Sequence, residues 1–209
     1  MFAVLLDLLF PRRSLTGSEG VWVTEAELRQ LVSTPVIEER ETLQHRGLRS
    51  LDRLVAASTY RRCPLLKKAI HTFKYRRIPV LASALAGLLP DNLPGDVVLC
   101  PVPLHWTRRF SRGFNQSALL ATELSQRRGL PVRDLLKRVR ATGSQAKRHR
   151  AERLTALGSA FRCVVSDPPE SVVLVDDLST TGATLDECAK VLKAAGVRRV
   201  EAWVIAHDR

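Results

Sequence analysis

Residues 172–184 constrain the fold of this chain more than any other stretch. The run 172–175, Val-Val-Leu-Val, predicts a strand buried on both faces, as in a parallel sheet. Asp176 and Asp177 follow, then small or hydroxylated residues, then apolar residues at helical spacing up to Gly196, which stands where a helix should end. This order predicts a strand, a loop with an acidic start, and a helix.

The chemistry of this loop favours one class of ligand. A small-residue loop that opens a helix presents backbone N–H groups to an anion, and Gly182 allows the backbone close approach. Adjacent carboxylates repel bare phosphate, but they can accept hydrogen bonds from a vicinal diol or face a metal. The pattern indicates a ligand with ribose hydroxyls and a phosphate. The alternative is a strand-to-helix turn that happens to be acidic.

Composition narrows the class of protein. A chain of 209 residues suits one domain plus an appendage, and a formal charge of +12 favours polyanionic partners such as nucleic acid or phosphorylated metabolites. The four cysteines form no C-x-x-C pair, which predicts reduced thiols and a cytoplasmic protein. Asp7 interrupts the apolar start, which has no basic residue before it, so we expect neither a signal peptide nor membrane insertion.

Strands alternate with helices along the chain, which predicts an α/β fold with a mostly parallel sheet. Thr24 and Glu27 have capping-box spacing, and Asn115 is a natural N-cap. The charge run 38–41 is expected on a solvated surface. The basic run 106–114 indicates either base stacking or aromatic anchors for a loop whose arginines face phosphate, and the run 141–153 indicates a mobile loop or a nucleic-acid patch. We predict strands at 51–59, 97–100, 135–140, 160–165 and 199–206, and helices at 25–32, 61–89 (two), 116–128 and after 184.

Residues 172–184 resemble the phosphoribosyl-pyrophosphate (PRPP) motif of type I phosphoribosyltransferases. Four further segments, 8–12, 70–75, 101–104 and 112–116, look like those of the ComF family, phosphoribosyltransferase-like proteins associated with DNA uptake. The resemblance runs from about residue 4 to the end. It implies a type I phosphoribosyltransferase-like fold: a mostly parallel twisted sheet flanked by helices, with a short N-terminal arm.

The resemblance also assigns roles to residues. Asp176 and Asp177 would bind the ribose hydroxyls and serve catalysis, and Mg²⁺ would arrive with PRPP rather than be held directly by the protein. Residues 145–153 would form a flexible flap. The 5′-phosphate would be bound by Ser179, Thr180, Thr181, Gly182, Ala183 and Thr184, and the pyrophosphate side would be formed by Val102, Pro103, Leu104, Arg108, Arg109, Arg112 and Lys74.

The N-terminal part departs from many relatives, which carry a cysteine zinc ribbon after the segment at 8–12. Ser14 and Gly17 stand in that place, and no cysteine precedes Cys63, so we expect no zinc. We predict a zinc-free arm at 1–50 and the phosphoribosyltransferase-like domain at 51–209.

Two functions are compatible with these features. The first is an enzyme that binds PRPP with Mg²⁺ and transfers phosphoribosyl to an acceptor, in the context of DNA uptake. The second is a non-catalytic accessory protein that binds a nucleotide or single-stranded DNA, with a DNA-uptake helicase as a further partner.

Overall fold

A central sheet of five strands forms the body of the protein, as a computed structural model shows. The structure describes residues 13–31, 35–61, 63–75, 81–90, 95–104, 113–139 and 160–208. Neighbouring strands of this sheet are parallel except at one edge, where the outermost strand runs antiparallel to its neighbour. The predicted α/β fold with a mostly parallel sheet is confirmed.

In the described part of the chain the strands are β1 Val36–Glu39, β2 Arg53–Thr59, β3 Val98–Pro101, β4 Leu136–Arg138, β5 Phe161–Cys163, β6 Ser171–Ser179 and β7 Arg199–His207, and the helices are α1 Glu25–Gln30, α2 Arg40–His45, α3 Pro64–Tyr75, α4 Leu81–Ala86, α5 Gln116–Arg128 and α6 Ala183–Ala194. A separate antiparallel pair, β4 and β5, lies outside the central sheet. The strand order in the central sheet is β1-β2-β7-β6-β3, in which β1 is the strand that runs antiparallel to its neighbour β2.

Two hydrophobic clusters cover the two faces of the sheet. Val173 and Val175 of β6 pack with α3, α4 and α5 on one face, and Val172 and Leu174 pack with α2, α6 and the β4–β5 pair on the other. This alternation follows from the two-residue period of a strand. Because both faces are covered, ligands can reach the sheet only at its edges, and in parallel sheets the carboxyl edge is the usual place.

Two sequence-based expectations need correction. Strand β6 does not end before the acidic pair: it continues to Ser179, because the register with β7 continues to the pair Ser179–His207. The charge run 38–41 is not simply a solvated surface, since Glu38 lies in β1 and is only 1% exposed. Sequence analysis missed β1 because its pattern contains charged side chains that find buried partners.

Part of the N-terminal arm is held together by one buried carboxylate. Glu27 is 1% exposed, and its oxygens accept hydrogen bonds from Ser14 Oγ at 2.8 Å, from Thr24 N at 2.7 Å and from Thr16 N. Thr24 Oγ1 accepts from Glu27 N in return, which confirms the predicted capping box. Leu15 and Leu31 fix this unit to the core on the α3 side.

Burial by itself would raise the pKa of Glu27, but the hydrogen bonds from Thr24, Thr16 and Ser14 outweigh that effect and lower the pKa to about 2. Because this value lies below the ordinary 4.5, the ionised group stabilises the fold fully above about pH 4.5 and loses this contribution as pH falls through about 2.

We therefore expect Glu27→Gln to lower the free energy of unfolding by about 1–3 kcal/mol at pH 7 and by clearly less at pH 3. Urea denaturation of both proteins at the two pH values measures this. Glu25→Gln is the matched control, because Glu25 is exposed and its ion pair with Arg29, at 4.0 Å, is exposed as well. An equal loss at both pH values would contradict the assigned role of the carboxylate.

Candidate functional site

The carboxyl edge of the sheet collects the ends of β3 and β6 in one place. Pro101 lies opposite Val175 in the parallel register, and Val102 N donates to Val175 O at 3.0 Å. Asp176 and Asp177 come next on β6, so they lie beside the segment 102–104. Among the residues that the structure describes, these two stretches thus lie side by side at the carboxyl edge.

Asp177 is held by an ion pair. Its Oδ1 lies 2.8 Å from Lys74 Nζ, and both side chains are largely buried, with 7% and 16% exposure. Lys74 stands in the last turn of α3, and Phe73 before it contacts Phe114 with ring centroids 5.9 Å apart. The fold thus places a cation from α3 against an acid from β6, far apart in sequence.

Asp176 has a different set of partners. Its Oδ1 accepts from Ser117 Oγ at 2.8 Å and from Asp177 N at 2.9 Å, and its side chain is partly exposed. Burial, with repulsion from Asp177, raises the pKa of Asp176 to about 6, while Ser117 and Lys74 act in the opposite direction. A carboxylate that titrates near neutral pH at a sheet edge is typical of a functional site.

The loop after β6 surrounds a small cavity of about 60 Å³, lined by residues that include Ser179–Thr184. Thr180, Thr181, Ala183 and Thr184 are exposed. Gly182 has φ 80° at the N-cap of α6, and a Cβ there would lie 2.6 Å from Leu48 Cδ1, so only glycine fits without displacement of Leu48.

Two features of this cavity favour an anion or a hydroxyl-rich group. The first N–H groups of α6 have no partner within the helix, and the helix dipole is positive at that end. Among the described side chains, Ser179 Oγ is buried without a hydrogen-bond partner, and Ser179 lines the cavity. Such a hydroxyl is costly unless a ligand or water engages it.

A second cavity of about 550 Å³ lies next to the segment 102–104. Pro103 and Leu104 line it together with Asn115 and residues of the β4–β5 pair, among them Lys137 and Arg138. Asn115 also donates from Nδ2 to Val102 O at 3.2 Å, which fixes the start of this segment to the N-terminus of α5. Asn115 caps that helix, as the sequence predicted.

The structure therefore brings together Asp176, Asp177, Lys74, the loop 179–184 and the segment 102–104. Arg108, Arg109 and Arg112, and the flap expected at 145–153, lie outside the described residues.

Several residues at this edge were not found by sequence analysis. Ser117 lies two residues after the N-cap Asn115, a position at which a hydroxyl would point past the helix start, and this spacing was the available signal. Glu38, Arg46 and His207 form a cluster beneath the loop, and no local pattern joins these three residues. His207 ends an apolar strand, so its place at the carboxyl edge follows once that strand is recognised as parallel.

The sequence of this chain is similar to those of proteins named for competence or for the use of DNA. Competence protein F of Haemophilus influenzae is 38% identical over 119 residues, which are 55% of this chain and 51% of that protein. DNA utilization protein YhgH of Escherichia coli K12 is 35% identical over 167 residues, 73% of this chain and 71% of that protein. Competence protein ComFC of Bacillus subtilis is 30% identical over 152 residues, 66% of this chain and 58% of that protein. A scan against protein-family models matched none.

The fold and the site together define the class of this protein. It is an α/β protein with an acidic, anion-favouring loop at the carboxyl edge of a mostly parallel sheet. The chain belongs to the ComF family, although the match covers only about half of competence protein F. None of the helices in the described part of the chain has both the length and the apolar character needed to span a bilayer.

The raised pKa of Asp176 gives a prediction for stability. Because the folded protein holds this proton more tightly than the ordinary pKa of 3.8 allows, ionised Asp176 costs stability above about pH 6, and this cost disappears as pH falls toward 4. Asp176→Asn keeps an oxygen for Ser117 and removes the charge. We expect it to raise the free energy of unfolding by about 1–3 kcal/mol at pH 7.5.

Chemical denaturation at pH 7.5 and pH 4.5 tests this, and the gain should shrink at the lower pH. Asp134→Asn, a change at an exposed carboxylate, is the control and should have little effect at either pH. A lower free energy of unfolding for Asp176→Asn than for the wild type at pH 7.5 would contradict this prediction, because it would show that the ionised carboxylate stabilises the fold.

Proposed function

We propose that the protein binds PRPP with Mg²⁺ at the carboxyl edge of its sheet, as a protein with the type I phosphoribosyltransferase fold. One observation carries the proposal: Asp176 of β6, with Asp177 next to it in the strand, lines a phosphate-sized cavity together with the loop 179–184, in which the hydroxyl of Ser179 is buried without a described partner. A ligand that presents a diol beside a phosphate ester satisfies both halves of this arrangement.

The small cavity suits the 5′-phosphate. Hydroxyls of Ser179, Thr180, Thr181 and Thr184 and the opening N–H groups of α6 are donors, and a phosphate ester offers only acceptors near neutral pH. The volume of the small cavity, about 60 Å³, has room for the phosphate alone, so the sugar would extend outward toward the carboxylates.

The carboxylates suit the ribose. Asp176 and Asp177 would accept hydrogen bonds from the 2′ and 3′ hydroxyls, with Asp176 supplied in its ionised form above about pH 6. Lys74, 2.8 Å from Asp177, offsets the repulsion between these acids and the diphosphate of the ligand. Val102, Pro103 and Leu104 would face the pyrophosphate, and Arg108, Arg109 and Arg112 stay proposals for the same side.

The residues present fit a magnesium ion that enters with the diphosphate. The described part of the chain has no group of three or more histidine, cysteine or acidic side chains able to hold a metal, whereas Asp176 is partly exposed at the edge. Mg²⁺ is commonly held by one or two carboxylates, water and the phosphates of a substrate. When bound, it would neutralise charge on the departing pyrophosphate.

Transfer to an acceptor would use the second cavity. Its volume of about 550 Å³ lies in the range of organic-ligand sites, and it adjoins the segment 102–104 on the side of the β4–β5 pair. The contribution of the chain would be to orient the ribose between Asp176 and Asp177 and to hold the leaving group electrostatically.

The names of the relatives support a biological setting. Competence protein F, ComFC and DNA utilization protein YhgH are named for competence and for the use of DNA. We propose that this chain also acts in DNA uptake, in the cytoplasm, with a DNA-uptake helicase as a candidate partner.

The test is calorimetric binding of PRPP with Mg²⁺ to the wild type and to Asp177→Asn. We expect at least a tenfold loss of affinity in the variant, because one acceptor of the ribose diol becomes an amide and Lys74 loses its counter-charge. Asp208→Asn is the matched control: Asp208 directly follows β7 at the same edge, is ion-paired with Arg61 at 2.7 Å, and should bind like the wild type. Absent binding by the wild type, or equal affinity in Asp177→Asn, would refute the proposal.

A second candidate function rests on charge. The net charge of +12 favours a polyanion, so we propose single-stranded DNA as a further or alternative ligand. The logarithm of the association constant for an oligonucleotide should fall linearly with the logarithm of the salt concentration, and the slope should depend on the number of phosphates that the protein contacts. Fluorescence anisotropy from 50 to 200 mM salt, about the range in which such losses are large, measures the slope. An affinity that does not change with salt concentration would exclude binding of single-stranded DNA through its phosphates.

A further inference from the structure

Glu38, Arg46 and His207 form a cluster beneath the loop 179–184. Glu38 is 1% and His207 0% exposed, and the Arg46 side chain is 22% exposed. The three residues come from β1, from the turn after α2 and from the end of β7. Two of the three therefore belong to the N-terminal part of the chain, whereas the loop belongs to the C-terminal part.

Arg46 connects this cluster to the loop. Its Nη1 is hydrogen-bonded to Glu38 Oε2 and lies 3.2 Å from His207 Nε2, while its Nη2 donates to Thr181 O at 3.3 Å. The planar fork of the guanidinium makes these contacts compatible with one another. Glu38 offsets the charge of Arg46, so the principal effect of Arg46 on the loop is geometric.

His207 holds a second carbonyl of the same loop. Its Nδ1 lies 3.0 Å from Ser179 O, and because a carbonyl can only accept, Nδ1 carries the proton. Nε2 then accepts from Arg46, which assigns the neutral tautomer with hydrogen on Nδ1. Asp208 N also donates to Ser179 O, at 2.8 Å.

These contacts fix the direction of two N–H groups. In a planar trans peptide the C=O and the following N–H point in opposite directions. Since Thr181 O is bound to Arg46 and Ser179 O to His207, the N–H groups of Gly182 and Thr180 point away from the cluster. Gly182 and Thr180 line the small cavity, which no residue of the cluster lines.

The segment around Arg46 makes further contacts with the same βα turn. Leu48 packs against Gly182, and Asp186 Oδ1 of α6 accepts from Ser50 N at 2.7 Å and from Leu51 N at 3.0 Å. The contacts with residues 181–186 thus come from residues 46–51, immediately before β2. These contacts make the N-terminal segment part of the support of the loop.

We infer that Arg46, oriented by Glu38 and His207, is a positioning residue that sets the amide of Gly182 for a phosphate ester in the loop cavity, beside the Thr180 amide that His207 and Asp208 N set through Ser179 O. This inference rests on the proposed function. It goes further in assigning the preorganisation of the phosphate site to a buried cluster built largely from the N-terminal part of the chain.

The test uses ribose 5-phosphate, which carries the 5′-phosphate and lacks the diphosphate. In Arg46→Lys the charge beside Glu38 is kept, but a single ammonium cannot reproduce the fork that reaches both Glu38 and Thr181 O. We expect about a tenfold weaker affinity for ribose 5-phosphate, and faster amide hydrogen exchange at residues 180–182 in the free protein.

A double variant, Glu38→Gln with Arg46→Gln, guards against misfolding, because it removes both charges of the ion pair together rather than leaving the buried Glu38 carboxylate without its counter-charge. It should show the same two changes. Arg53→Lys is the matched control. Arg53 is 20% exposed and forms an ion pair with Glu39 at 3.0 Å across β1 and β2. It stands at the start of β2, at the opposite end of that strand from the carboxyl edge where the loop lies. This variant should match the wild type in both measurements.

The outcomes separate the two proposals. If the wild type binds ribose 5-phosphate and both cluster variants bind it equally well, with unchanged exchange at 180–182, Arg46 is not a positioning residue and the proposed function stands. If Arg53→Lys weakens binding as much as Arg46→Lys, the effect is a general loss of stability and the inference fails. If the wild type binds neither PRPP nor ribose 5-phosphate, both proposals fall.

Discussion

The parallel pairing of β6 with β3 on one side and β7 on the other is the constraint on which the rest of this structure depends. It buries the run 172–175 on both faces, so the chain can expose chemistry only where the strand ends. The register carries Asp176 and Asp177 to the carboxyl edge and ends at the pair Ser179–His207. Every candidate site feature is positioned by that register: the acids, the loop, and the neighbouring segment 102–104.

The site contains polar and charged groups whose burial does not favour the stability of the fold. Asp177 is largely buried and needs Lys74 from α3, and Asp176 is held at a pKa of about 6 by burial and by its acidic neighbour. Ser179 keeps a buried hydroxyl without a described partner. Unfavourable groups that collect at one place are characteristic of sites shaped for a ligand, because stability is then lost in exchange for binding.

The N-terminal segment contributes more to the support of the sheet and of the candidate site than its sequence suggested. The Glu27 carboxylate accepts hydrogen bonds from the turn at residues 13–19 and fixes it to α1. Strand β1 adds an edge strand to the central sheet. Glu38 and Arg46 then reach the loop that follows β6. Charged side chains in this region are buried with partners, which is why a pattern of mixed charge predicted surface where the structure has a supporting layer.

Sequence alone determined the local elements whose signals are local: the buried strand with its acidic end, the loop with Gly182, the helix that begins after Asn115, and the capping box of Thr24 and Glu27. It also determined the α/β class, since alternating strands and helices have few ways to bury their apolar faces. Only the tertiary structure decided that Lys74 meets Asp177, that Ser117 meets Asp176, and that Arg46 meets Thr181. Those contacts join residues that lie between 59 and 135 positions apart in the chain. No periodicity encodes such pairs, because they follow from strand order and register rather than from the spacing of residues along the chain.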